Sequence, residues 1–438
     1  MKRLKYSDLV KWKKSAKRKP LIIRGARQVG KTWLMQEFGK NEYDQMVYVN
    51  FERDKHLVDL FKGGFNIPRI ITALQAESGI TINPDNTLII FDEIQSVPEA
   101  ISSLKYFEED ANKYHIITAG SLLGIASQEG VSFPVGKIDF LDLHPLNFIE
   151  FLYSMDEGAL INILYEFDWE LIKVYKSKYI ERLRQYYFVG GMPEAVAQFA
   201  HNKSFQDVRE IQNNILKAYE LDFSKHPPAG TASRIRMLWN SIPSQLAKEN
   251  RKFIYGLIKH GARAKEYESA ISWLIDCGHV YKICRVSKPS YPLKAYLDIR
   301  SFKLFIVDIG ILSAMTSIDA GSLIKGNEIF SEFKGALTEQ YVLQQLVSMD
   351  NQVINYWSSE RSTAEVDFLI QLPGKVIPIE VKSEENLKSK SLKIYKEKFE
   401  PDISIRTSMS DFRTQEWLIN IPLYAIPIIN NILRYRVE

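Results

Sequence analysis

A strand, a glycine-rich turn and a helix are predicted by residues 21–38, LIIRGARQVGKTWLMQEF. The turn reads G-x-x-x-x-G-K-[ST] from Gly25 to Thr32, a motif in which backbone N–H groups wrap a chain of phosphates. Residues 21–23 form a short apolar run typical of a buried strand, and helical periodicity begins at Thr32. The stretch therefore predicts a nucleotide-binding loop at the edge of a parallel α/β sheet.

The side chains of this loop have separate predicted tasks. Lys31, a candidate catalytic residue, is expected to reach the β- and γ-phosphates, and the Thr32 hydroxyl is expected to ligate Mg²⁺. The backbone N–H groups from Arg27 onward are expected to contact the phosphates, helped by the helix N-terminus. The predicted nucleotide-binding set comprises Gly25, Ala26, Arg27, Gln28, Val29, Gly30, Lys31, Thr32 and Trp33.

A second signal follows in residues 87–93, TLIIFDE, an apolar strand that ends in two acids. Asp92 is expected to hold the Mg²⁺ ion, and Glu93 to polarise the attacking water. The next apolar run, 114–119, ends near Ser121. The Ser121 hydroxyl is expected either to sense the γ-phosphate or to cap a helix. Glu93 and Ser121 thus join the lysine of the loop as candidate catalytic residues.

Strands and helices are predicted to alternate through this part of the chain. The predicted strands lie near 21–24, 46–51, 87–92, 114–119 and 136–142, and the predicted helices near 32–40, 68–78 and 98–109. Such alternation favours a parallel sheet with helices on both faces. The nucleotide is then expected at the carboxyl edge of the strands.

Composition bounds the remaining possibilities. The chain has 438 residues, 45% of them hydrophobic, so more than one domain is expected. No apolar run approaches the ~18 residues that span a bilayer, and no signal peptide is recognisable. Cys277 and Cys284 fit neither a disulfide framework nor a zinc site, so a cytoplasmic location is predicted.

Nine of the first 20 residues are Lys or Arg. This basic arm is interpreted as a nucleic-acid or lipid contact, or as a solvated helix that packs through Leu9 and Trp12.

Five stretches together resemble the predicted AAA-type ATPases of bacteria and archaea, in which a P-loop domain precedes a C-terminal region of unknown function. They are RGARQVGKT (24–32), FDEIQ (91–95), TAGSLLG (118–124), LHPLNFIEF (143–151) and YFVGGMPEAV (187–196). The resemblance covers nearly the whole chain and implies ATP as the nucleotide, an extra strand between the two nucleotide motifs, and homo-oligomers. This family commonly has Gly-Arg where the chain has Gly136-Lys137, so no arginine is expected to act from that point.

The middle of the chain is predicted to be helical over 151–225 and winged-helix-like over 226–318. The winged-helix-like part is predicted to contain helices IRMLWNSIPSQLA (235–247), FIYGLIKH (253–260) and RAKEYESAISWLIDCG (263–278), then strands HVYKICRV (279–286) and AYLDI (295–299). The third helix mixes Arg263 and Lys265 with acidic residues. Because a helix that reads DNA bases is usually basic on its outer face, protein packing is favoured over base readout.

Residues 365–383, EVDFLIQLPGKVIPIEVKS, predict a hairpin whose apolar strands carry charged residues. A hairpin centred on the Pro-Gly turn places Asp367 opposite Glu380, and Glu365 opposite Lys382. Two carboxylates in such a position repel each other unless one is neutral, paired or metal-bound. The hairpin is therefore a candidate site.

The spacing D-x(12)-E-x-K on this hairpin is the signature of the PD-(D/E)xK nuclease-like fold, which the resembled family carries here. The resemblance implies that Asp367 and Glu380 bind Mg²⁺ and that Lys382 orients or deprotonates the attacking water. It also implies an additional acid, Glu339, from the preceding helix. The alternative is a salt-bridged hairpin in a domain without the chemistry. Residues 319–438 are accordingly predicted to form a restriction-endonuclease-like α/β domain.

The sequence thus predicts an α/β protein in which a P-loop ATPase domain, residues 1–150, precedes the three parts described above. Its predicted function is Mg²⁺-dependent binding and hydrolysis of ATP, on or near nucleic acid. One alternative is an ATP-regulated nuclease. The other is a nucleotide-gated switch or binding module whose C-terminal domain is non-catalytic. The candidate partners are ATP, DNA or RNA, and further copies of the chain.

Overall fold

The computed structural model describes residues 1–62, 64–120, 133–225, 227, 230–248, 252–325, 331–349, 352–360, 364–385 and 389–437. The chain forms two compact units. The N-terminal unit comprises Arg3–His144 together with Asp276–His279. The C-terminal unit comprises Met1–Lys2, Pro145–Ile275 and Val280–Glu438. Within the described part of the chain, no helix is long and apolar enough to cross a membrane.

The N-terminal unit is built on a parallel sheet of five strands in the order β2-β3-β4-β1-β5. The strands are β1 (Leu21–Arg24), β2 (Gln45–Asn50), β3 (Thr87–Asp92), β4 (His115–Ala119) and β5 (Asp139–Asp142). Every residue of β3 and β4 is buried, as expected for central strands covered on both faces. The predicted strands and their alternation with helices are confirmed, including the extra strand β2 between the two nucleotide motifs.

Helices of this unit connect the strands. They are α1 (Tyr6–Lys14), α2 (Lys31–Glu42), α3 (Val58–Lys62), α4 (Ile67–Ser78) and α5 (Pro98–Ala111). Local signals define their ends: the Asn66 side chain caps α4 by accepting from the Arg69 N–H at 3.0 Å, and Pro98 occupies the first turn of α5. Apolar residues of α4 and α5 pack with those of β2 and β3 in one hydrophobic core.

The sheet register brings the two nucleotide motifs to one edge. Asp92, at the end of β3, pairs with Asn50 on β2 and with Ala119 on β4. Strand β1 is parallel to its neighbour β4, so the loop that follows β1 lies at the edge of the sheet where β4 also ends. Because carboxyl ends of parallel strands meet at one edge of a sheet, the glycine-rich loop and Asp92 are placed at the expected binding crevice.

The C-terminal unit begins with helices and ends in an α/β layer. Its helices are α6 (Phe148–Ser154), α7 (Gly158–Tyr165), α8 (Trp169–Val174), α9 (Lys176–Val189), α10 (Pro193–Asn202), α11 (Phe205–Lys225), α12 (Ala232–Leu246), α13 (Ala264–Asp276), α14 (Ile309–Met315), α15 (Ala320–Lys325), α16 (Ser331–Val347), α17 (Lys390–Phe399) and α18 (Ile429–Val437). The last residue of α13 is grouped with the N-terminal unit. The predicted helical character of 151–225 agrees with α6 to α11.

One mixed sheet of eight strands runs through the C-terminal unit in the order β12-β13-β11-β10-β9-β8-β6-β7. The strands are β6 (Val280–Val286), β7 (Leu297–Ile306), β8 (Ile354–Ser358), β9 (Glu365–Leu372), β10 (Lys375–Val381), β11 (Ser404–Ser408), β12 (Arg413–Thr414) and β13 (Leu418–Pro422). The β6–β7 hairpin, predicted as part of a winged-helix-like region, therefore shares a sheet with the strands of residues 319–438. The winged-helix-like assignment stays a prediction.

The predicted helix over 253–260 is wrong. The structure has only the 3₁₀ turn Tyr255–Leu257 there. The Phe253 N–H donates to the Phe302 carbonyl of β7 at 2.8 Å, and the Gln245 side chain bonds both backbone groups of Ile254 at 2.9 Å. These tertiary contacts hold the start of the segment extended and override its helical pattern.

The predicted hairpin register is confirmed. Strands β9 and β10 pair antiparallel from Leu372–Lys375, next to the turn, to Phe368–Ile379. Beyond that pair, the Val381 N–H donates to the Asp367 carboxylate at 2.8 Å. The hairpin thus brings its acidic residues to the same end, as the sequence indicates.

Candidate nucleotide-binding site and C-terminal acidic cluster

The glycine-rich loop is packed closely against the residue after β5. Gly25 has φ +150°, and a Cβ built on it would lie 2.2 Å from the Leu143 carbonyl oxygen. No side chain fits in that space, so glycine is required for the close approach. At the other end of the loop, Gly30 has φ +91° and precedes α2 directly. The backbone of the loop is consequently held at both ends.

Lys31 lies folded over this loop. Its Nζ donates to the carbonyl oxygens of Gly25 at 2.9 Å and Ala26 at 2.8 Å, and the residue is 8% exposed. Burial lowers the pKa of Lys31 to about 8, although the carboxylates of Glu93 and Asp92 act to raise it. An anionic phosphate at the loop would favour the charged form, so Lys31 is suited to change partners when phosphate binds.

Asp92 lies among hydroxyl groups at the end of β3. Its Oδ2 accepts from Thr32 Oγ1 at 2.7 Å and from the Tyr48 hydroxyl at 2.8 Å, and the residue is 2% exposed. Oxygen atoms of a carboxylate and a threonine are ligands suited to Mg²⁺. The adjacent Thr32 and Asp92 oxygens therefore fit the predicted ion. Tyr48 was missed by the sequence analysis; it lies two residues before Asn50, the residue of β2 that pairs with Asp92, and therefore on the same face of the strand.

Glu93 follows Asp92 in an unusual backbone conformation. It has φ +52°, which is uncommon for a residue with a side chain and is found at functional sites. Its Oε2 accepts from Gln95 Nε2 at 2.6 Å, and its N–H donates to Asp92 Oδ1 at 3.0 Å. Burial raises the pKa of the Glu93 carboxyl, with Gln95 opposing this effect. The side chain is thus oriented by a neighbour and is more basic than an ordinary glutamate.

The other predictions for this unit have mixed outcomes. Ser121 lies outside the described residues, so its role stays a prediction. Trp33, in the first turn of α2, is 39% exposed. Lys137, where the resembled family commonly has arginine, forms ion pairs of 3.1 Å with Glu108 and Glu109 on α5. These contacts tie Lys137 to the surface of its own chain.

The basic N-terminal arm folds as α1 and packs within the N-terminal unit. Leu9 and Trp12 are buried, and the Trp12 ring makes an edge contact with His115 at a centroid distance of 6.1 Å. Lys11 pairs with Asp8 at 3.0 Å. These contacts favour the interpretation of the arm as a solvated helix that packs on its neighbour.

Arg3 contacts the glycine-rich loop, and the sequence analysis did not predict this. It is 5% exposed, and its guanidinium donates to the carbonyl oxygens of Val29 at 2.8 Å and His144 at 2.6 Å. Val29 precedes the last glycine of the loop. Arg3 therefore fixes the phosphate-binding loop from the first turn of the chain, a pairing that no local sequence pattern indicates.

In the C-terminal unit, the hairpin gathers the predicted Asp367, Glu380 and Lys382. Glu380 is 3% exposed, and its Oε1 lies 3.0 Å from Lys382 Nζ. Burial raises the pKa of Glu380, Lys382 lowers it, and the Asp367 charge raises it further. The Asp367 carboxylate is engaged by the Val381 N–H. The charge of Asp367 thus acts on Glu380, and a lysine of the chain already pairs with Glu380.

The predicted third acid, Glu339, faces a different cation. Lys303 on β7 is fully buried, with its Nζ 3.7 Å from Glu339 and 2.5 Å from Glu365. The Glu365–Lys382 pair expected from the hairpin is replaced by the contacts Glu365–Lys303 and Glu380–Lys382. Among the described residues, no three His, Cys, Asp or Glu side chains are grouped so that they could hold a metal ion.

Comparisons with known proteins match successive parts of the chain. Residues 17–152 match the model of an AAA domain, residues 180–322 a domain of unknown function (DUF8612), and residues 334–426 a domain of unknown function (DUF4143). No curated protein matches the chain.

Two solved structures show weak similarity. The Walker-type ATPase PABY2304 of Pyrococcus abyssi is 13% identical, with a TM-score of 0.45 over 72% of this chain and 95% of that one. The Aeropyrum pernix ORC1 protein, solved in complex with DNA, is 11% identical, with a TM-score of 0.27 over 72% of this chain and 90% of that one. At these scores neither structure carries an argument. The family match and the geometry of the loop and β3 together support the predicted AAA-type P-loop domain in residues 17–152.

Proposed function

We propose that the N-terminal unit binds ATP with Mg²⁺ and hydrolyses it. The observation that carries this proposal is the 2.7 Å contact between Thr32 Oγ1 and Asp92 Oδ2, beside a lysine that rests on the loop carbonyls. The contact joins the two motifs that the sequence separates. It provides the adjacent oxygen ligands that a nucleotide-bound Mg²⁺ requires.

Each residue of the site has a task in this mechanism. Thr32 and Asp92 would hold the ion, which when bound neutralises charge on the β- and γ-phosphates. Lys31 leaves the carbonyls of Gly25 and Ala26 and binds the phosphates. Backbone N–H groups of the loop and of the first turn of α2 orient the phosphate chain.

Glu93 orients the attacking water and accepts its proton. Gln95 fixes the carboxylate, and burial raises the Glu93 pKa, which brings it closer to the operating pH of a general base. The rate of hydrolysis should therefore fall on the acidic side at a higher pH than an ordinary glutamate would give.

Phosphate release from ATP by the pure protein tests this proposal. Wild type should hydrolyse ATP with Mg²⁺ and not with excess EDTA, and Asp92→Asn should reduce the rate by about 100-fold or more, because the ion loses a charged ligand. Asp59→Asn, at an exposed acid of the same unit, is the matched control and should keep the wild-type rate. An inactive wild type, or an Asp92→Asn variant as active as the control, contradicts the proposal.

For the C-terminal unit we infer a binding module on a restriction-endonuclease-like fold, in preference to an active nuclease. Helix α16 precedes strands β8 to β10, and α17 then leads to β11, which is parallel to β10. This arrangement supports the fold. The lysine contacts of Glu339 and Glu380 favour the non-catalytic alternative, because these acids already face cations of the chain.

We propose that the protein acts on nucleic acid because its C-terminal unit is predicted to have a nuclease-like fold. This part of the proposal can be tested separately. ATP hydrolysis is measured with and without added DNA or RNA, and stimulation supports action on nucleic acid. Supercoiled DNA is incubated with the protein and Mg²⁺. Cleavage that Glu380→Ala abolishes, with ATP hydrolysis unchanged, establishes the nuclease alternative. No cleavage is expected from a binding module.

A further inference from the structure

A short turn from the middle of the sequence belongs to the N-terminal unit. Residues Asp276–His279 are grouped with Arg3–His144, whereas the residues on either side, Ile275 and Val280, belong to the C-terminal unit. The turn joins the end of α13 to the start of β6. The turn is therefore covalently continuous with α13 and β6, which belong to the C-terminal unit, while its own residues are grouped with the N-terminal unit.

Gly278 brings this turn against the phosphate-binding loop. A Cβ built on Gly278 would lie 3.1 Å from the Ala26 backbone nitrogen and 3.4 Å from the Ala26 Cα, and φ at Gly278 is +73°. Ala26 itself is 2% exposed. The backbone of the turn thus lies in direct contact with the loop, at a point where the loop begins its path around the phosphates.

The two residues on either side of Gly278 in the turn are buried. Cys277 is 2% exposed and His279 is 1% exposed. Burial, and to a smaller extent the charges of Arg27 and Lys31, lower the pKa of His279 to about 3, so the imidazole is neutral at ordinary pH. A neutral ring beside the loop adds no repulsion to the cation that binds phosphate.

We propose that the turn Asp276–His279 is a brace that positions the phosphate-binding loop for nucleotide and is itself tightened when nucleotide binds. This inference rests on the proposed nucleotide binding. Thermodynamic linkage requires both directions, because an element that stabilises the nucleotide-bound loop is stabilised by nucleotide to the same extent. Because the turn continues into α13 and β6, it provides a covalent route by which nucleotide state reaches these elements.

Two glycine variants distinguish the effect of the contact with the loop from the effect of backbone strain alone. Gly278→Ala places a methyl group against Ala26, whereas Gly261→Ala places one in open space at nearly the same φ, +77°. Both variants pay the backbone cost of a positive φ, so their difference isolates the contact with the loop. Dissociation constants are measured with a fluorescent ATP analogue, and KM and kcat with ATP.

Gly278→Ala should weaken nucleotide binding by about tenfold or more and raise KM more than it lowers kcat, because the loop is misplaced before chemistry begins. Gly261→Ala should stay within about twofold of wild type, as expected for strain away from the site. Equal affinity in the two variants overturns the brace. A wild type that binds no nucleotide instead overturns the proposed function.

Cys277 provides a second readout that needs no change in the turn. In Cys284→Ser the sequence retains a single cysteine, Cys277, whose rate of reaction with a thiol reagent reports opening of the turn. ATP with Mg²⁺ at saturation should slow this reaction by about fivefold or more, as linkage requires. An unchanged rate in a protein that demonstrably binds ATP overturns the inference, even where Gly278→Ala fails to fold.

Discussion

Two buried strands of this protein end in charged residues, and their surroundings differ. At the end of β3, Asp92 accepts hydrogen bonds from the neutral hydroxyls of Thr32 and Tyr48. At the end of β10, Glu380 lies 3.0 Å from the ammonium group of Lys382. The hydrogen-bond partners of the first carboxylate are hydroxyl groups, whereas the second already has a cation of the chain beside it.

An acidic motif on a strand does not by itself define a metal site. Mg²⁺ was predicted at the end of β3 from its pair of acids, and at the hairpin as one of two alternatives implied by the resemblance to a nuclease-like fold. We base the different roles proposed for the two sites on the partners of those acids, because a lysine ammonium balances the charge of a carboxylate as a metal ion does. Lys303 extends the contrast, since it lies between the carboxylates of Glu339 and Glu365.

The largest effect at the first site is expected from Glu93→Gln. Loss of the base should lower kcat for ATP by about 10²- to 10⁴-fold, while ATP affinity should stay within about twofold, because the loop is unchanged. Asp110→Asn, at an exposed acid of the same unit, serves as the control. Single-turnover hydrolysis and equilibrium ATP binding check both parts. Hydrolysis at the wild-type rate would show that Glu93 is not the base.

The second prediction concerns the lysine of the C-terminal unit. Lys303→Met removes a buried cation that faces the buried Glu339 and the partly buried Glu365, and should lower the free energy of unfolding by about 3–5 kcal/mol. Lys282→Met, at a partly exposed lysine on the neighbouring strand β6, should cost about 1 kcal/mol or less, as expected for a surface charge. Urea unfolding of both variants measures the difference. Equal midpoints would contradict a role for Lys303 as the internal cation.

Arg3 should contribute a smaller effect on the first site. Arg3→Gln removes donors from the Val29 and His144 carbonyls, and should cost about 1–3 kcal/mol of stability because the carbonyls lose a charged partner. KM for ATP should rise severalfold, and Arg3→Lys should recover part of the loss. Lys17→Gln, at an exposed cation of the same arm, is the control. If the two variants Arg3→Gln and Lys17→Gln have the same KM for ATP in steady-state kinetics, Arg3 does not support the loop.

The smallest effect is a pH dependence of ATP binding. The pKa of Lys31 in the nucleotide-free protein is about 8, so the fraction that carries a charge falls as pH rises through that value. Because phosphate binds the charged form, the dissociation constant for ATP should be nearly constant below pH ~7.5 and rise above pH ~8, approaching tenfold per pH unit. Titrations between pH ~7 and ~9.5 measure this curve. Lys31→Met should bind more weakly with no such rise, and a rise retained in that variant would assign the dependence to another group.

The N-terminal sheet was largely predictable from the sequence. Runs such as the residues of β3 and β4 are continuously apolar, and parallel strands covered on both faces require that pattern. The loop motif and the two acids at the end of β3 indicated the position of the site. The hairpin register was equally predictable, because a two-residue turn determines which residues of its strands face each other.

Contacts between distant parts of the chain were not predictable. The bond of Arg3 to Val29, the approach of Gly278 to Ala26 and the pairing of Lys303 with Glu339 join residues that no local pattern relates. The same limit explains the incorrect helix over 253–260. Its apolar spacing suited a helix, but the bonds that hold its start extended come from α12 and β7.

We propose that Mg²⁺ acts at the end of β3 together with ATP and has no site at the end of β10. Thermal melting of wild type under three conditions tests it most directly: EDTA alone, Mg²⁺ alone, and Mg²⁺ with ATP. We expect equal melting temperatures with EDTA and with Mg²⁺ alone, and a rise of several degrees when ATP is added, because a ligand that binds the folded state stabilises it. A rise with Mg²⁺ alone that Glu380→Ala abolishes, or no rise with Mg²⁺ and ATP, would contradict the claim.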